Sequence, residues 1–105
     1  MTAVKLLNTA SGRLCGYDVI GHTGYAEAGK DIVCSALSFL SITCANALEN
    51  VAGKKPEVLI REKEGKMRVT LHESELTEQT DVIFHVFRQG IYDLAAEYPR
   101  YVQLI

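Results

Sequence analysis

The sequence predicts an α+β fold in which a mainly antiparallel sheet, in the order ββαββαβ, packs with two helices. Two observations carry this reading. Short runs of alternating apolar residues come in pairs separated by turn residues, and two longer stretches repeat apolar residues at helical spacing.

Residues 3–7 (AVKLL) read as the first strand, and Asn8 to Gly12 supply turn residues. Residues 13–22 alternate, with Cys15, Tyr17 and Val19 on one face, and read as the antiparallel partner. Residues 23–30 carry Gly24 and Gly29 and read as a loop. A helix is expected over 31–51, with Asp31 as N-cap accepting hydrogen bonds from the free amides of the first turn. Val33, Leu37, Leu40, Cys44, Leu48 and Val51 form its core stripe. Ile32, Phe39 and Ile42 add apolar surface elsewhere, which predicts cover on more than one side. Gly53 and Pro56 end the helix.

Residues 56–73 read as a hairpin, with Val58 and Ile60 on one strand, Met67, Val69 and Leu71 on the other, and Gly65 in the turn. A second helix is expected from about Thr77 to Glu97, with Ile83, Phe87, Ile91, Leu94 and Tyr98 as its buried stripe. Pro99 marks its end, and YVQLI closes the chain as a short strand.

A chain of 105 residues is most simply one domain, residues 1–105. At that length roughly two thirds of the unfolded surface can be buried without covalent staples. With 48% apolar and 23% charged residues the composition is globular. A net charge of -2 gives no electrostatic basis for direct nucleic-acid binding. The basic residues at 61–68 alternate with Glu62 and Glu64 and read as a solvated hairpin surface. Glu73, Glu75, Glu78 and Asp81 read as a solvated acidic start to the second helix. Three widely spaced cysteines, Cys15, Cys34 and Cys44, argue against a disulfide framework and place the chain in a reducing cytoplasm. The first ten residues lack the apolar run of a signal peptide. The stretch 32–48, with Ser35, Ser38, Ser41, Thr43 and Asn46, suits a buried helix and not a membrane span.

The start of the first helix concentrates the chemistry. If Asp31 caps it, Cys34 is the third helical residue, where unpaired amides and the positive end of the helix dipole stabilise a thiolate. His22 stands twelve positions upstream, at the end of the second strand. An imidazole beside a thiol takes its proton and later delivers it to a leaving amine. First-turn amides also offer a place for an oxyanion. Asp31, Cys34 and Ser38 follow i, i+3, i+7 and share a small polar face that Ser41 continues, apart from the core stripe. The residues alone fit two readings, a nucleophile or a small structural cysteine behind a surface histidine.

Other candidates are weaker. His72 falls on a strand face with Arg68 and Thr70, and His85 on a helix face with Asp81, Arg88 and Tyr92, both solvated. His22 and Cys34 supply two ligands where zinc needs three or four, so no metal is expected. No phosphate-binding or dinucleotide motif is present. Cys44 is about 15 Å along the helix from Cys34, too far to resolve a disulfide.

At these residues the chain resembles a known family. "GH" at 21–22, a short loop with Gly and Tyr, then "DIVCSALS" at 31–38, is similar to the ribosomal-processing cysteine proteases called Prp, with a matching element order along essentially the whole chain. The resemblance implies that His22 is the catalytic histidine and Cys34 the nucleophile, with Gly21, Asp31 and Ser38 supporting them. Thr23 stands where the family often has Ala. It also implies a cofactor-free endopeptidase that removes the N-terminal extension of the ribosomal protein bL27 precursor. The peptide would bear aromatic residues before the scissile bond and bind extended near His22 and Cys34, and the enzyme would be a homodimer. The loop with Thr23, Gly24, Tyr25 and Gly29 reads as a flap that closes over the peptide. The rival reading is a non-enzymatic ribosome-assembly factor that holds a ribosomal protein tail.

Overall fold

The structure, a computed structural model, describes all residues except Thr23, Ala28 and Gly29, so those loop positions lie outside the described residues. The elements are β1 (Thr2–Asn8), β2 (Leu14–Ile20), α1 (Ile32–Asn50), β3 (Glu57–Arg61), β4 (Lys66–Thr70), α2 (Glu78–Glu97) and β5 (Val102–Leu104). They follow the expected ββαββαβ order. The sheet runs β3-β4-β2-β1-β5; β5 is parallel to β1 and the other pairings are antiparallel.

Register decides which side chains meet. Val4 pairs with Val19 and Leu6 with Tyr17, and across β2 Tyr17 pairs with Val69 and Val19 with Met67. Strand alternation sends these apolar residues to one face, as the pattern of Cys15, Tyr17 and Val19 predicted. Both helices pack on that face through Tyr17. Its ring is fully buried, stacks on Phe87 of α2 at 3.7 Å and meets Phe84 edge-on. Its hydroxyl donates to the Ser41 carbonyl of α1 at 2.6 Å. Burial pushes that hydroxyl far above the usual tyrosine range, so it remains a donor.

Asp31 caps α1 as predicted. Val33, Leu37, Cys44 and Leu48 are buried, while Leu40 is half-buried where α1 and α2 approach. A Cβ added at Gly90 of α2 would lie 2.5 Å from Leu40 Cδ2, so the absent side chain lets the helices close. Two expectations need correction. Val51 is the C-cap and is exposed, because the helix turns out of the layer there. Ile32, Phe39 and Ile42 are not covered by this chain. The sheet and α2 take the other flanks of α1, and Phe39 is 73% exposed. By length and composition α1 is apolar enough to cross a bilayer, with mean hydropathy 1.5, which exceeds the sequence reading. Its buried residues nevertheless join the sheet and α2 in one core.

Thr77 and Thr80 cap α2 reciprocally. Its buried side is wider than the expected stripe and includes Thr80 and Phe84, because α2 meets both the sheet and α1. The acidic start of α2 is not simply solvated, since the Asp81 carboxylate accepts two bonds from the Arg13 guanidinium at 2.8 and 3.0 Å.

β3 is an edge strand with all five residues exposed. Val58 pairs with Val69 and Ile60 with Met67, so their side chains face the helix side of the sheet but stand beyond α1. That uncovered strip is where the groove described below opens.

On the opposite face Lys5, Asp18 and Arg68 align across β1, β2 and β4. Asp18 is 3% exposed and accepts two bonds from Arg68 at 2.6 and 2.7 Å. The guanidinium holds the Asp18 carboxyl below the usual carboxylate range. A depressed carboxyl contributes stability above its unfolded value, about 3.9, and loses it as pH falls through the lower folded value. Arg68→Met should therefore destabilise the protein at pH 7, because it orphans a buried acceptor, with the loss moderated by the exposure of Arg68. The gap from wild type should narrow on acidification below the Asp18 range. Urea unfolding of both proteins at pH 7 and in acid checks this; a gap that stays constant would contradict it.

Candidate active site

β2 ends at Ile20, and Gly21 turns the chain out of the sheet. Its φ of +98° suits only glycine, and a Cβ there would lie 2.7 Å from the Met1 carbonyl oxygen. The Gly21 amide donates to the Gly65 carbonyl in the β3–β4 turn at 2.9 Å. His22 follows, exposed, with its ring against Gly65.

The second half of the site comes from the start of α1. The Asp31 side chain is buried and both its oxygens accept from backbone. Oδ1 takes the Cys34 amide at 2.8 Å, and Oδ2 takes the amides of Tyr25 at 3.1 Å and Ala26 at 3.4 Å. One carboxylate thus starts the helix and holds the preceding loop. The Tyr25 ring sits edge-on to Tyr98 at 5.6 Å and Tyr101 at 5.2 Å, which docks this part of the loop beside the C-terminal end of α2.

His22 and Cys34 line a single groove of about 250 Å³. Cys34, Ser38 and Ile42 of α1 form one wall. Ile60, Glu62 and Lys66 of the β3–β4 hairpin form the other, over a floor that includes Val19, Leu37 and Met67. The lining is mostly apolar, suited to an extended peptide with apolar side chains. Cys34 is half-buried and Ser38 exposed.

The polar helix face divides. Cys34 and Ser38 reach the groove as their spacing implied. Ser41 also borders it but is 2% exposed, with its hydroxyl donating to the Leu37 carbonyl at 2.8 Å. Asp31 does not line the groove; its carboxylate turns toward the cap and the loop. Burial pushes the thiols of Cys44 and Cys15 up, with Glu73 adding to the effect at Cys15, and both remain neutral packing groups. Among the described residues no three His, Cys, Asp or Glu side chains gather as metal ligands would.

The hairpin wall was not visible in the sequence. Val58 and Ile60 carry the same alternation as a core strand, and Gly65 reads as an ordinary turn glycine. Only the sheet order makes β3 an edge beyond the reach of α1.

Comparison with known proteins follows the same outline. The ribosomal processing protease Prp from S. aureus, in complex with a covalently linked product peptide, superposes with a TM-score of 0.90 at 19% identity, over 99% of this chain and 97% of that one. The same enzyme with a substrate peptide gives 0.86 at 18% identity, over 100% and 98%. At these identities the likeness establishes the fold. SMU.848 from Streptococcus mutans is 32% identical, with a TM-score of 0.86 over 99% of this chain and 91% of that one. No curated protein sequence gives a significant match. The family model for the cysteine protease Prp matches residues 1–103, and with the fold and the His22–Cys34 groove in view the chain belongs to that family of ribosomal-processing cysteine proteases.

Proposed function

We propose that residues 1–105 form one cysteine endopeptidase domain that removes the N-terminal extension of the ribosomal protein bL27 precursor, with Cys34 as nucleophile and His22 as general acid and base. The observation that carries this reading is that His22 and Cys34, from separate elements, line one groove. His22 takes the Cys34 thiol proton, and the sulfur attacks the scissile carbonyl carbon to form a tetrahedral oxyanion. The C–N bond then breaks, and His22 gives the departing amine its proton. Water attacks the thioester, His22 takes the water's proton, and the thiolate leaves the new carboxyl group.

Of the first-turn amides that could hold the oxyanion, that of Cys34 already donates to Asp31. Asp31 acts through position. It fixes the turn that presents Cys34 by accepting the amides of Cys34, Tyr25 and Ala26. Gly21 lets the chain leave the sheet toward His22, and Ser38 gives the groove wall a hydroxyl.

The substrate is an extended peptide with aromatic residues ahead of the scissile bond, seated on Val19, Leu37, Ile60 and Met67. The part of the loop around Gly24 and Tyr25 closes over it, while Thr23 and Gly29 of the expected flap lie outside the described residues. Exposed Ile32 and Phe39, which share a helix face, support a homodimer. Three free thiols fit the reducing cytoplasm, and the net charge of -2 fits a protein partner and no direct nucleic acid. The apolar α1 is a core helix and not a membrane anchor.

Cys34→Ala should abolish cleavage of a bL27-precursor peptide, and His22→Ala should reduce it by about 10²–10⁴-fold. Turnover equal to wild type in Cys34→Ala would overturn Cys34 as nucleophile, and a wild type that binds the peptide without cleaving it would leave a peptide-binding assembly factor instead. Hydrogen exchange should show the Tyr25 amide protected in the free protein, less so in Asp31→Asn, which turns a donor toward it, and altered by an uncleavable peptide. An amide indifferent to the peptide would remove the flap. In sedimentation velocity, wild type should run as a dimer and Phe39→Glu as a folded monomer; a monomeric wild type would remove the dimer.

A further inference from the structure

We propose that Gly65, in the turn of the β3–β4 hairpin, is a positioning residue for the acid–base histidine. The proposal rests on the reading of His22 given above. Two contacts join this turn to the histidine segment. The Gly65 carbonyl accepts the Gly21 amide at 2.9 Å, which fixes the backbone just before His22. The imidazole then lies directly over the Gly65 α-carbon. A Cβ built there would fall 2.8 Å from His22 Nε2, 2.9 Å from His22 Cε1 and 2.8 Å from the Gly21 carbonyl oxygen. These distances are too short for any side chain, so a residue other than glycine moves the ring, its backbone or the turn.

The backbone of Gly65 adds a separate demand. It closes the 3-10 turn of residues 62–64 in the left-handed conformation, with φ 60° and ψ 42°, and its amide donates to the Glu62 carbonyl at 3.0 Å. Turn geometry alone would explain a glycine here, but it would not place an imidazole against it. The hairpin has a double role. It carries Ile60, Glu62 and Lys66, one wall of the peptide groove, and it seats the histidine that serves the same groove. Substrate wall and acid–base group are therefore registered to each other through Gly65.

Gly53 provides the control. It too is left-handed, with φ 68°, but nothing lies within 4 Å of a Cβ built on it. Gly53→Ala carries a similar backbone cost without touching the site. Gly65→Ala adds the collision. Gly65→Asn adds the same Cβ in a residue that tolerates the left-handed region, so it serves where the alanine variant fails to fold. The experiment measures kcat and KM for precursor-peptide cleavage, the pH profile, and the imidazole NMR signals of His22 in each variant. Gly65→Ala and Gly65→Asn should lower kcat about ten- to a hundred-fold with little change in KM, as a misplaced catalytic group does. They should also displace the His22 resonances and move the pH profile. Gly53→Ala should leave all three as in wild type. Gly65 variants with wild-type kcat and unmoved His22 signals, alongside an inactive His22→Ala, would overturn the positioning role and leave the catalytic reading standing. A His22→Ala protein with wild-type turnover would overturn both.

Discussion

The fold turns on one buried phenol. Tyr17 sits in the middle strand of the sheet, paired through the register to Leu6 and Val69, and it touches both helices at once. Its ring face stacks on Phe87 and its hydroxyl reaches the backbone of α1 at Ser41. A buried hydroxyl without a partner costs free energy, so the bond to Ser41 constrains where α1 lies along the sheet. A lateral shift of α1 would break that bond. The groove inherits its shape from this constraint. With α1 fixed over β2, the helix layer stops short of β3, and the space between them is left open.

The site is held with equal economy. Asp31 satisfies amides on both sides of itself, so the start of α1 and the loop after His22 are set by one carboxylate. This accounts for the absence of Asp31 from the groove wall despite sharing a helical face with Cys34. Sequence spacing gives the angle of a side chain about the helix axis; it does not give the direction in which a cap residue, outside the helical dihedrals, turns its oxygens. The cap's φ of -83° and ψ of 98° are extended, and its side chain folds back over the first turn.

The exposed apolar surface divides by origin. Val58, Leu59 and Ile60 are exposed because β3 is an edge, and Ile60 is put to use in the groove wall. Phe39 and Ile32 are exposed because a two-layer domain of this size has no third layer to cover the outer flank of α1. The sequence pattern of α1, apolar on more than one side, signalled that the helix has more to bury than one chain supplies. The sheet and α2 cover two flanks, and the flank carrying Ile32 and Phe39 stays exposed.

What the sequence by itself determined is local. Periodicity and turn residues settled the order of strands and helices, Asp31 as the cap, and the separation of Cys34 from the core stripe, because these depend on dihedral preferences and spacing within a few residues. The motif from Gly21 to Ser38 pointed to the family that the match over residues 1–103 shows. What only the tertiary structure decided is non-local. The strand order β3-β4-β2-β1-β5 makes the hairpin an edge and brings its turn, more than forty residues along the chain, against His22. The same order makes Gly65 more than a turn residue and Asp31 less than a groove residue. Contacts of that range are set by which faces pack and which strands pair, and a one-dimensional pattern of apolar residues is the same for a core wall and for the wall of a groove.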